Sequence, residues 1–195
     1  MTTLHLVRHG ETDWNRQGRF QGIQDIPLNA EGRRQARHLA QAWAEVAEVL
    51  VASPLARATE TAEILGQSLG LKLLTTDPRL VERDYGLGAG LTLEERRERF
   101  PDGVIPGVEA PASIRDRARY FLESVTRDHP GRRIVAVSHG GFINTVLSLV
   151  SGGEVGTGKT LLGNASVSTL VHGHEGWRVA SVGQTYGALV SGLKE

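Results

Sequence analysis

Apolar positions along this chain alternate between short continuous runs and helical stripes. Thr3 to Val7 is an apolar-rich run that ends at a charged residue and a glycine, which predicts a buried strand. Gly18 to Leu28 reads as a loop, with Gly22 and Pro27 as breakers. Asn29 is placed to cap a helix whose apolar positions, Ala36, Leu39, Ala40, Trp43 and Ala47, share one face. Val49 to Ala52 predicts a second strand. Ser53-Pro54 then opens a helix with the stripe Leu55, Ala58, Ala62, Leu65 and Leu69, closed by Gly70 at its C-terminus. Lys72 to Thr75 is a third short strand. Asp84 to Pro111 is rich in glycine and proline, with one short helix around Leu93 to Phe100. Ala112 to His129 predicts a helix, and Ile134 to Val137 a strand running into Ser138-His139-Gly140-Gly141 and a helix through Phe142 to Val150. Ser166 to Val171 and Trp177 to Val182, separated by Gly173 and Gly176, predict a closing hairpin.

Strands alternating with helices imply an α/β fold: a mostly parallel central sheet covered by helices on both faces. No repeat, linker or low-complexity tract interrupts it, so one domain over residues 1–195 is expected. In such sheets ligands bind beyond the carboxyl ends of the strands. Three sequences stand at such ends: Arg8-His9-Gly10, Ser53-Pro54-Leu55-Ala56-Arg57, and Ser138-His139-Gly140.

Composition narrows the function classes. At 195 residues with 39% hydrophobic and 23% charged residues, the chain is an ordinary globular protein. Lys plus Arg and Asp plus Glu are both 22, so a neutral total predicts no nucleic-acid or membrane-surface partner. The absence of cysteine rules out disulfide and thiolate chemistry and fits a reducing compartment. The opening residues are too short and polar for a signal peptide, and no run approaches the roughly 20 apolar residues that span a bilayer. The expectation is a soluble, cytoplasmic protein. Nothing in the sequence speaks for or against a homo-oligomer.

The strand-end residues suggest phosphoryl transfer. An imidazole can attack phosphorus and split one hard transfer into two easier ones. His9 must be neutral to do so, and a backbone hydrogen bond at its other nitrogen would set the tautomer. The phosphoryl group in flight carries negative charge that positioned cations stabilise. Arg8 and Arg57 suit this, because a guanidinium offers parallel donors to phosphate oxygens. Arg57 also lies in the first turn of a helix, where free N–H groups favour an anion. His139, if protonated, adds a donor. A departing alkoxide needs a proton, and Glu82, just before the Gly86 to Gly90 loop, is the chosen donor, with Asp84, Glu94 and Glu95 as alternatives.

The stretch Leu6-Val7-Arg8-His9-Gly10-Glu11-Thr12-Asp13-Trp14-Asn15 resembles the signature of the histidine phosphatase superfamily, also called phosphoglycerate-mutase-like. Gln21-Gly22, Asp25 to Leu28, Gly32 with Gln35-Ala36, Ser53 to Thr59, Glu82 and Ser138 to Gly141 match its pattern in order. The resemblance implies a phosphohistidine on His9 and proton transfer by Glu82. It also implies phosphate binding by Arg8, Asn15, Arg57 and His139, no metal and no cofactor. Gln21, Gly22 and Gly140 complete the expected substrate-binding set, and the partner expected is a small phosphorylated metabolite. One departure stands out: where many relatives resemble Gly-x-Trp-Glu-Gly-Leu-Thr, this chain has Gly86-Leu87-Gly88-Ala89-Gly90-Leu91-Thr92. Mutases of this kind carry an Arg-Arg pair in an insertion absent from Val104 to Pro111, which favours a phosphatase, with a mutase as runner-up.

Two rival readings come from other residues. Gly153 to Thr160 satisfies G-x-x-x-x-G-K-[ST] in full. A phosphate-binding loop must leave a strand and enter a helix, however, whereas here a predicted helix precedes the segment and a predicted strand follows it. His172-Gly173-His174 could be a metal pair but lies in the predicted hairpin without a nearby third ligand.

Overall fold

The computed structural model describes residues 1–185; the last ten residues of the expected domain lie outside them. Six strands form one sheet in the order β3-β2-β4-β1-β5-β6. They are β1 (Thr2–Arg8), β2 (Val49–Ala52), β3 (Thr75–Thr76), β4 (Arg133–Ser138), β5 (Val167–Gly173) and β6 (Gly176–Gln184). β1, β2, β3 and β4 run parallel, and β5 and β6 add an antiparallel edge. The helices are α1 (Asp13–Arg16), α2 (Ala30–Ala42), α3 (Ala56–Leu69), α4 (Leu93–Arg99), α5 (Pro111–Asp128) and α6 (Gly140–Val150), with 3₁₀ turns at Pro78–Leu80 and Gly86–Gly88.

Period-two alternation sends the strand side chains to two cores. Leu4, Leu6, Ile134 and Ala136 pack with Phe121, Leu122 and Val125 of α5 and Phe142, Val146 and Leu147 of α6. Val7, Leu50, Ala52, Val135 and Val137 pack with Leu39 of α2 and Ala58, Ala62 and Leu65 of α3. Each fully buried leucine or valine contributes about 1.5–3 kcal/mol, so the central strands are held from both sides.

Local signals account for most boundaries. The Asn29 side chain caps α2 by accepting from Gly32 N at 2.8 Å. Gly70 closes α3 in the left-handed region at φ 66°. Two expectations differ, and one short helix has no signal in the periodicity. α2 ends at Ala42 rather than near Ala47, because Trp43 turns away to pack edge-on against His5 at 5.3 Å, a tertiary contact that overrides the helical stripe. β3 is only Thr75–Thr76 instead of Lys72 to Thr75, since β2 offers it partners only at Val51 and Ala52. The short α1, nucleated by a capping box between Thr12 and Asn15, carries too few residues to show a stripe.

Candidate active site

Strand register brings the three strand-end motifs together. Arg8 of β1 pairs with Ser138 of β4, and Ala52 of β2 pairs with Val137. His9, Ser53 and His139 therefore follow the carboxyl ends of three adjacent, parallel inner strands. The rings of His9 and His139 stand 5.1 Å apart.

A cavity of about 330 Å³ opens there. Its wall includes Arg8, His9, Asn15, Gln21, Gly22, Arg57, Glu82 and Gly140. His139 is fully buried beside His9 rather than on the cavity wall. All of the residues expected to form the site thus meet in one place.

The hydrogen bonds around His9 settle its tautomer. Nδ1 lies 2.6 Å from the carbonyl of Gly10, which can only accept, so Nδ1 carries the proton. Nε2 is left with its lone pair, and Nε of Arg57 donates to it at 3.3 Å. Burial is the main force holding His9 well below the usual histidine range, with the charges of Arg57 and Arg8 acting in the same direction. Neutrality is what a nucleophilic imidazole requires.

The cations are set by the backbone. Arg57 is buried at the start of α3, with Nη1 donating to Gln24 O at 2.6 Å and Nη2 to Gly22 O at 2.7 Å. Those bonds fix the guanidinium plane and occupy part of its donor fork, so it is not free to present two outer N–H groups at will. Asp25 holds the same loop to α3 by accepting from Ala56 N at 2.7 Å. Burial pushes Arg57 down to about 10, against the charges of Glu82 and Asp25. Arg8 is likewise lowered by burial; its Nη1 donates to Leu162 O, while its buried Nε has no partner among the described residues.

His139 departs from expectation. Burial, then the charges of Arg57, His9 and Arg8, hold it well below the usual range, so it is neutral instead of protonated. Its Nε2 pairs with Ser53 Oγ at 2.8 Å, leaving Nδ1 buried and unpartnered among the described residues. Glu82 sits at the N-terminus of α6 and accepts from Gly141 N at 2.9 Å, Phe142 N at 3.0 Å and Arg83 N at 2.8 Å.

Asn15 accepts at Oδ1 from Thr12 N at 3.1 Å and Asn164 Nδ2 at 3.2 Å, and Gln21 accepts at Oε1 from the Thr12 hydroxyl at 2.9 Å. Both amides thereby keep their NH₂ groups for the cavity. Asn164, which also donates to His9 O at 3.1 Å, had no signal in the sequence, because it arrives from the loop before β5. The wall also includes Phe20, Tyr85 and Asn144, which no pattern singled out. The departure at Gly88 has a physical counterpart: Arg96 of α4 lies 3.8 Å over the Phe20 ring and 4.8 Å over Tyr85, and a Cβ on Gly88 would come within 2.5 Å of its guanidinium. Arg96 fills the space a bulky residue at position 88 would need.

The rival readings find no support in the geometry. Gly153 to Thr160 is a string of turns after α6 that enters no helix, and Lys159 Nζ folds back onto Gly153 O at 2.7 Å. The ring of His172 packs on Trp177 at 5.1 Å, and among the described residues no cluster of three potential ligands could hold a metal ion. Nor is any described helix long and apolar enough to cross a membrane.

Residues 4–185 match the histidine phosphatase superfamily (branch 1). The chain is 42% identical over 180 residues to the uncharacterized phosphatase PhoE of Bacillus subtilis (strain 168), covering 92% of this chain and 93% of PhoE. It is 35% identical over 190 residues to the probable phosphoglycerate mutase GpmB of Cronobacter sakazakii, covering 91% of this chain and 88% of GpmB. The crystal structure of a phosphoserine phosphatase from Entamoeba histolytica, in complex with 3-phosphoglyceric acid, matches with a TM-score of 0.83 at 30% identity, covering 96% of this chain and 100% of the other. A match that runs from β1 to the end of β6 takes in both histidine-bearing strand ends and the helices that position Arg57 and Glu82, and the chain belongs to the histidine phosphatase superfamily.

Proposed function

We propose that the protein is a phosphatase of small phosphomonoesters that works through a phosphohistidine on Nε2 of His9. The observation that carries this reading is the unprotonated Nε2 of His9 on the cavity wall, set by the Nδ1 bond to Gly10 O, accepting from Nε of buried Arg57 and flanked by half-buried Arg8. The two guanidinium groups share one buried carboxylate, Glu82, the other nearby carboxylate, Asp25, being exposed, and a phosphate dianion suits the positive charge that remains.

In the first half-reaction Nε2 attacks phosphorus, the bond to the ester oxygen breaks, and Glu82 gives that oxygen a proton. In the second, Glu82 takes a proton from water as the oxygen attacks the phosphohistidine, releasing phosphate and restoring His9. Arg8, Arg57 and the free amides of Asn15 and Gln21 hold the equatorial oxygens. The backbone at Gly22 and Gly140 lets the phosphate approach closely. His139 serves as a neutral donor: with the Ser53 hydroxyl donating to Nε2, its proton sits on Nδ1. The cations of the chain supply the charge stabilisation, so no divalent metal is needed, and a chelator is expected to leave the rate unchanged.

Similarity to both a phosphatase and a mutase leaves the acceptor to decide between them. Water is favoured here because Val104 to Pro111 offers no Arg-Arg pair to retain and turn a sugar-acid product. Rapid quench with labelled substrate is expected to trap acid-labile, base-stable phosphate on the wild type and none on His9→Ala. With 3-phosphoglycerate the expected product is inorganic phosphate; isomerisation without phosphate release would replace the phosphatase reading with the mutase one, and label on a serine or aspartate would overturn both.

A further inference from the structure

A second cavity, of about 540 Å³, adjoins the first and shares Tyr85, Gly141 and Asn144 with it. It is a groove along one face of α6, where Gly141, Asn144, Thr145 and Ser148 recur at helical spacing. The turns after α6 close one side, tied to it by Gly153 N donating to Ser148 O at 2.8 Å and Thr157 N to Asn144 O at 3.2 Å. The N-terminal turn of α5 closes the other.

The groove carries polar groups that the protein does not satisfy. Asn144 donates through Nδ2 to Thr160 O at 3.1 Å, but its buried Oδ1 has no partner among the described residues. The hydroxyls of Ser148 and Thr157 make no hydrogen bond to the described residues either. Its only charged lining groups among the described residues are Arg83 and Arg115, neither of which lines the first cavity. Arg83 spends Nε on Glu109 O at 3.0 Å and has no ion pair among the described residues. Along α5, Arg117 is paired with Glu109 and Arg119 with Asp116, whereas Arg115 has no such partner among the described residues.

We infer that the groove takes the alcohol part of the substrate, and that the substrate is an elongated, hydroxyl-bearing phosphomonoester ending in a second anionic group at Arg115. This rests on the phosphatase reading above. Seven residues of helix separate Gly141 from Ser148, so the groove runs about 10 Å along α6. Asn144 Oδ1 and the free hydroxyls call for a chain with hydroxyl donors and acceptors.

The test compares kcat/KM for 6-phosphogluconate, fructose 1,6-bisphosphate, glucose 6-phosphate and 3-phosphoglycerate in the wild type, Arg115→Ala and Arg115→Lys. The first two probes are long and end in a carboxylate or a second phosphate; the third is long without a distal anion; the fourth is short. At least one long anionic probe is expected to exceed glucose 6-phosphate by about fivefold, the scale of one solvent-exposed charge pair. Which of the two does so identifies the terminal anion. Arg115→Ala should bring that ratio toward one, and Arg115→Lys should keep part of it. A wild-type ratio near one for both anionic probes, or a ratio indifferent to Arg115→Ala, overturns this inference while leaving a His9-dependent phosphatase intact. Loss of all phosphatase activity in the wild type, including toward p-nitrophenyl phosphate, instead refutes the phosphatase reading and this inference with it.

Discussion

Gly141 and Glu82 are built against each other: the Gly141 N–H donates to Glu82 Oε2 at 2.9 Å, and a Cβ on Gly141 would come within 2.5 Å of Oε1. The first turn of α6 therefore both orients the carboxylate and leaves room for it. Gly141→Ala should displace Glu82, which is the end of a flexible side chain, at a stability cost within about 1 kcal/mol. Hydrolysis of alkyl phosphates should fall about 10²-fold, at the low end of what a positioned proton donor supplies. Thermal unfolding and steady-state assays on one preparation check both halves, and unchanged alkyl turnover would separate Glu82 from the proton transfer.

Leaving-group dependence distinguishes Glu82 from Arg57. An aryl phosphate departs as a stable phenolate and hardly needs a proton, whereas an alkyl phosphate does. Glu82→Gln should slow alkyl phosphates far more than p-nitrophenyl phosphate. Arg57→Ala should slow both by a similar factor, about 10²-fold or more by analogy with the loss of one oxyanion donor. Equal losses for both substrates in Glu82→Gln would point to Asp84 or a bound water as the donor.

The two buried histidines of the site, His9 and His139, make acid stability a test of the electrostatics. Both are held well below the ordinary value of 6.5, chiefly by burial. Below pH 6.5 the unfolded chain binds protons that the native state refuses. Stability is thus complete above that pH and declines as pH falls toward the lowered native values. Each histidine costs about 1.4 kcal/mol per pH unit across that window. Carboxylates add their own acid sensitivity, so the diagnostic is a comparison: in phosphate-free urea titrations between pH 6.5 and 5, His139→Gln should show a slope shallower by one proton than the wild type. Parallel slopes would mean that His139 is protonated in the native protein.

Lys159 tests the segment that imitates a nucleotide loop. Its ammonium is exposed and bonds only to Gly153 O among the described residues. Lys159→Ala should shift stability by a few tenths of a kcal/mol, as exposed sites usually do. ATP should not raise the melting temperature of either form. A nucleotide-dependent rise in the wild type that disappears in the variant would restore the nucleotide-binding reading.

Much of the fold and site could be read from the sequence because the determinants are local. The continuous apolar runs of β1, β2 and β4, the Asn29 cap and Gly70 specify elements through period, capping and backbone freedom. Parallel strands then imply where a ligand binds, and Arg8, His9, Arg57 and His139 all stand at or just beyond such ends. What depends on neighbours distant in sequence could not be read. The end of α2 is decided by Trp43 meeting His5, the role of Asn164 by a loop placed beside His9, and the filling at Gly88 by Arg96 from another helix. The neutrality of His139 follows from burial beside cations, which no sequence pattern encodes. By itself the sequence determined which strand ends meet and which residues stand beside them. Only the tertiary structure decided their tautomers, their charge states and the groove beyond them, because desolvation and hydrogen bonding depend on what the rest of the chain brings into contact.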